Sequence, residues 1–74
     1  MKEYNGYNSW NQWNVSLWIN NDESIYRMAV ELLKEYPFEK AVNKFHSCYK
    51  GCRTPDGATY NRLSIKRALE GMEE

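Results

Sequence analysis

Several things are scarce in this 74-residue chain. It has no excess charge of either sign: ten Lys and Arg balance ten Asp and Glu. A protein that coats a polyanion usually carries a strongly positive balance, so that class is disfavoured at once. No apolar run approaches the ~20 residues of a membrane-spanning helix, and the opening MKEYNGYNSW lacks the apolar core of a secretory signal. A cytoplasmic protein without a membrane role is therefore expected. Soft metal ligands are few as well: one histidine and two cysteines. His46, Cys48 and Cys52 make three ligands where a structural zinc site usually needs four, and no second cysteine pair follows. His46 and Cys48 stand two positions apart on a helical stretch and point in different directions, which weakens any nucleophile–base pairing. Glycine-rich phosphate loops, metalloprotease helices and paired-carboxylate sites are missing too. No cofactor, no metal and no catalysis is the expectation.

Aromatic residues are abundant instead. Three Trp, six Tyr and two Phe make 15% of the chain. Tyr4, Tyr7, Trp10, Trp13 and Trp18 crowd the first eighteen positions. A buried ring removes roughly 150–250 Å² from water, so such residues help a short chain to build a core. Most of these rings are expected inside.

The length allows one domain with a thin stability margin. Residues 1–8 read as an extended or turning arm, with Gly6 and its neighbouring asparagines favouring turns. Asn8 or Ser9 caps a helix through about Asn20. That helix is apolar on most of its circumference, with Gln12 and Ser16 as a narrow polar strip. Asn14 falls inside the apolar arc, where its amide needs partners. Asn21 or Asp22 caps a second helix with the stripe Ile25, Met28, Ala29, Leu32, Leu33 and Tyr36. Pro37 ends it and suits the first position of a third, whose stripe is Phe38, Ala41, Val42, Phe45, Cys48 and Tyr49. Gly51 lies just past that helix, followed by the turn signal Arg53-Thr54-Pro55-Asp56-Gly57. Residues 58–60 fit a brief extended piece. Ser64 caps a last helix bearing Ile65, Ala68, Leu69 and Met72, with Leu63 stapling toward Ala68 and fraying near Gly71. The predicted fold is all-α: one small domain, 1–74, of about four short helices around a Trp-rich first helix.

Charge is segregated along the chain. Residues 39–67 hold Lys40, Lys44, Lys50, Arg53, Arg62, Lys66 and Arg67 against Glu39 and Asp56 alone. Acidic residues prevail on both sides of that segment. The imbalance fits a solvated surface, an acidic protein partner or nucleic-acid phosphates. As a partner site it selects Lys44, Lys50, Arg53, Arg62, Lys66 and Arg67, with Tyr49, Arg53 and Tyr60 as anchors near the helix-end turn. Tyr and Arg are enriched at interface hot spots, and functional contacts concentrate on loops.

The string Trp13-Asn14-Val15-Ser16-Leu17-Trp18-Ile19-Asn20-Asn21-Asp22, together with Thr54-Pro55-Asp56-Gly57, resembles a pattern in an uncharacterised family of small bacteriophage and mobile-element proteins. The matched core covers about a fifth of the chain. The sequence departs from that pattern at Ser9-Trp10 and at Gln12, which favours an earlier helix start. The resemblance carries over no catalytic residue. It implies a phage-type gene product acting inside a bacterial cell. Small non-enzymatic phage proteins commonly occupy a host surface, so the expected function is inhibition of a bacterial defence system, such as CRISPR or restriction, or of another host process. The expected partner is a bacterial host protein. Nucleic-acid binding through residues 40–67 and a role as a phage assembly accessory are the alternatives.

Overall fold

A computed structural model describes residues 9–73 as four helices: α1 Trp10–Asn21, α2 Glu23–Glu35, α3 Phe38–Tyr49 and α4 Arg62–Glu73. The class is all-α, as read from the sequence. Consecutive helices pack on one another and α4 returns to α1, which forms the most extensive helix–helix interface. The expected arm at residues 1–8 lies outside the described residues.

Local chemistry sets each boundary. The Ser9 hydroxyl accepts the Gln12 N–H at 3.2 Å and starts α1. Asp22 is the whole connection between α1 and α2. Its N–H donates to the Trp18 carbonyl at 3.0 Å, while its carboxylate accepts the Ile25 N–H at 3.2 Å. One extended residue thus ends one helix and caps the next, with its charge at the positive end of α2. Pro37 sits one position earlier than expected. It holds ψ at 154°, outside the helix, and gives its carbonyl to the Ala41 N–H at 2.9 Å. After α3, Gly51 takes φ of +83°, a conformation that favours glycine.

Three expectations about α4 are corrected. Its cap is Asn61, whose side-chain oxygen accepts the Ser64 N–H at 2.9 Å. Ser64 lies inside the first turn, 2% exposed. Leu63 is 55% exposed and staples nothing into the core, and the helix runs through Gly71 to Glu73.

The core joins Val15 and Ile19 of α1, Ala29 of α2, Val42 and Phe45 of α3, and Ile65, Ala68 and Leu69 of α4. Ala58 and Tyr60, from the connection before α4, belong to it as well. Phe45 and Tyr49 stack with centroids 5.0 Å apart, and Tyr60 lies 5.0 Å from Tyr49.

Helix α1 buries part of its apolar arc, with Asn14 hydrogen-bonded there as expected, and also the strip expected to be polar. Its buried residues are Gln12, Asn14, Val15, Ser16 and Ile19. The supposed polar strip faces inward. Trp10 is 39% exposed, and Trp13 and Trp18 are half-buried. The expectation that most rings are core is also corrected: among the described aromatics only Phe45 and Tyr60 are buried. A helix apolar nearly all round does not select its own inner face; polar partners elsewhere do. Cys48, expected against the core, is exposed. Tyr49, four residues from Phe45, takes the stacked position instead.

Candidate functional site

The connection between α3 and α4 is held to α1 by side-chain hydrogen bonds. Thr54-Pro55-Asp56-Gly57 turns tightly: the Gly57 N–H donates to the Thr54 carbonyl at 2.9 Å, and Gly57 adopts φ of +99°. Thr54 and Ala58 then pair, and Arg53 faces Thr59 in a single antiparallel bridge. The expected brief extension at residues 58–60 is therefore present as that bridge.

Asn14, 1% exposed, reaches this turn with both ends of its amide. Its nitrogen donates to Asp56 Oδ2 at 2.9 Å, and its oxygen accepts the Thr54 hydroxyl at 2.6 Å. The Trp18 indole N–H donates to the same Asp56 oxygen at 3.0 Å. Thr54 closes the arrangement by accepting the Ala58 N–H at 3.0 Å. One turn earlier on α1, Asn11 takes the Thr59 N–H at 2.9 Å and donates to the Thr59 carbonyl and the Ser64 hydroxyl. Two asparagines spaced by three thus latch the whole segment. The hydrogen bonds from Asn14 and then Trp18 hold the Asp56 carboxyl below its ordinary value, against a smaller opposing effect of desolvation. Gln12 Oε1 is buried without a hydrogen-bond partner among the described residues.

Beside the latched turn an open cleft of about 240 Å³ runs between the end of α3 and the return toward α4. It is lined by His46 of α3, by Gly51, Cys52 and Arg53 just after it, and by Thr59, Tyr60 and Asn61 before α4. The Arg53 guanidinium leans on the Gly57 carbonyl at 3.3 Å. Tyr60 is 5% exposed and serves chiefly as a core ring, with little surface to offer as an anchor. Burial pushes the pKa of both Tyr49 and Tyr60 above the usual phenol value. Among the described residues, no three His, Cys, Asp or Glu side chains are grouped to hold a metal ion.

The expected cationic site is divided. Arg53 and Tyr60 line the cleft, with Tyr49 packed against Tyr60 and Lys50 exposed at the end of α3. Arg62 and Lys66 instead share Glu39 across the α3–α4 interface, at 2.6 and 3.5 Å. Arg62 also donates to Asn43 at 2.7 Å. The Arg62 hydrogen bond, helped by Lys66, holds the Glu39 carboxyl below its ordinary value. Arg67 pairs with Glu70 along α4. The Lys44 ammonium sits 4.8 Å from the centroid of the Tyr36 ring.

Sequence reasoning found Asn14 as a buried amide in need of partners but did not find Asp56, Thr54, Asn11 or Trp18 as those partners. A signal existed. The two strings that carry the family resemblance, around Trp13–Asp22 and Thr54–Gly57, are the two that meet in the latch.

The class that emerges is a small all-α domain whose α3–α4 connection is fastened to α1 by asparagine and tryptophan side chains. The chain belongs to the family described as "Family of unknown function (DUF7249)", which matches residues 1–74. No curated protein and no solved structure matches it. No helix among the described residues is long and apolar enough to cross a membrane.

Proposed function

We propose that the protein is a non-enzymatic interaction protein that binds and occludes a protein target, using the end of α3 and the latched turn. The observation that carries this reading is the open cleft at that turn, with Arg53 in its lining and Lys50 exposed nearby. A guanidinium and an imidazole around one concavity, with a lysine exposed nearby, suit an acidic protein surface. The turn is fixed to α1 through Asn11 and Asn14, so little ordering entropy is lost when a partner docks. The resemblance to phage and mobile-element proteins supplies the setting: the cytoplasm of a bacterial host cell. There the target is a host protein, with a defence effector such as a CRISPR or restriction component as the leading class. Nucleic-acid binding is the second reading. It needs an array of available cations, whereas Arg62, Lys66 and Arg67 each engage a carboxylate.

Affinity capture from nuclease-treated bacterial lysate tests the proposal. A stoichiometric protein partner is expected to persist. Arg53→Glu is expected to lose it with an unchanged melting curve, and Glu35→Lys to keep it. Capture that vanishes on nuclease treatment, or that ignores Arg53→Glu, rejects the reading.

A further inference from the structure

Helix α2 has a wide apolar arc, yet only Ala29 among its thirteen residues is buried. Ile25, Met28, Leu32 and Leu33 pack, half-buried, against the core, whereas Val30 is half-buried and Tyr26 is 43% exposed. A depression of about 270 Å³ on this helix is lined by Tyr26, Arg27, Met28, Val30 and Glu31. One edge of the arc has an ordered composition. Glu23, Tyr26, Val30 and Lys34 follow at steps of three, four and four, so they line up along the helix. An acid stands at the first end, two apolar groups in the middle and a lysine at the last.

Such an edge is complementary to itself when reversed. A twofold axis across α2 near the level of Met28 sets Glu23 against the partner copy's lysine at both ends. It also sets Tyr26 against the partner copy's valine at the centre. A symmetric dimer needs this property of its contact surface, since each patch must fit its own copy. Arg27 binds Glu23 at 2.7 Å through Oε2, with both side chains more than 70% exposed. That exposed pair is held weakly.

From this edge we infer that α2 is a self-association face, occupied by α2 of a second copy packed antiparallel. The inference does not depend on the proposed target site, which lies on other elements. One helix face covers less than the ~800 Å² per partner of a standard stable interface, so the dimer is weak and reversible.

Sedimentation equilibrium at low salt, from micromolar protein to about 1 mM, reads the association directly. The expected mass rises from 8.8 kDa toward twice that value. Tyr26→Glu and Val30→Glu are expected to keep the protein at 8.8 kDa across the range while retaining the wild-type helical signal. Glu23→Lys reverses two symmetry-related pairs at once and should weaken association by about tenfold. The double variant Glu23→Lys, Lys34→Glu should restore it to within about twofold. A wild-type mass of 8.8 kDa at every concentration overturns the inference. So does a dimer that persists in Tyr26→Glu, one whose strength is unchanged by Glu23→Lys alone, or one that the double variant fails to restore.

Discussion

Replacing Asn14 with alanine tests the latch where it is most buried. The change removes two side-chain hydrogen bonds, one to the Asp56 carboxylate and one from the Thr54 hydroxyl. Thr54 is 4% exposed, so its hydroxyl proton is left without an acceptor and without water. An orphaned buried donor costs about 1–3 kcal/mol, and the second lost bond adds about 1 kcal/mol. The expected loss is thus about 2–4 kcal/mol. A domain of this length holds roughly 4–11 kcal/mol in all, so a large share would go. Guanidinium unfolding followed by far-ultraviolet circular dichroism gives the number. Asn20→Ala is the matched control: Asn20 is exposed and, among the described residues, bonds within its own helix to Ser16. It should cost less than about 0.5 kcal/mol. If Asn14→Ala falls within that same range, the latch is not a stabilising element and the reasoning fails.

Three further outcomes follow from burial and charge. Ile19→Ala should cost about 2–5 kcal/mol, because Ile19 is fully buried, while Trp10→Ala should cost less than about 1 kcal/mol; equal losses in thermal unfolding would contradict the inward face assigned to α1. Asp56 has a folded-state pKa below its ordinary value of 3.8, so the unfolded chain binds the proton first as pH falls. Its contribution is complete above about pH 4 and disappears as pH drops through the folded value; Asp56→Asn should flatten that acid limb, and an unchanged limb would count against the bonds from Asn14 and Trp18. Tyr49 and Tyr60 are raised above 10.0, so stability falls as pH climbs past that value and the unfolded chain loses its phenol protons first. Ultraviolet titration should show those two phenols ionising together with unfolding, and ordinary titration of every tyrosine in the native state would refute their burial.

Helices α2 and α3 were legible because each has one apolar stripe and an unambiguous stop, at Pro37 and at Gly51. Helix α1 was legible in extent and only in part in orientation. Its large rings suggested the inner face, but Asn14, Gln12 and Ser16 occupy it, since the partners of Asn14 lie some forty residues away in the turn. Asp56 read as a turn residue and nothing more; that its carboxylate also meets Asn14 and Trp18 is a tertiary fact without a local signature. The basic segment was visible as an imbalance of charge. Its division was not, because the pairing of Arg62 and Lys66 with Glu39 depends on how α3 and α4 pack. Asn61 in place of Ser64 as the α4 cap shifts that helix by one turn, and only the bond from Asn11 explains why Ser64 is wanted inside.

A double-mutant cycle between Asn14 and Thr54 tests most directly the claim that the turn beside the cleft is fastened to α1. Asn14→Ala, Thr54→Val and the combined variant are unfolded in guanidinium under one set of conditions. The 2.6 Å bond between two residues each at least 96% buried predicts a coupling of about 1 kcal/mol or more, on top of the separate losses of the Asn14 bond to Asp56 and the Ala58 bond to Thr54. Losses that simply add, to within about 0.3–0.5 kcal/mol, would contradict it.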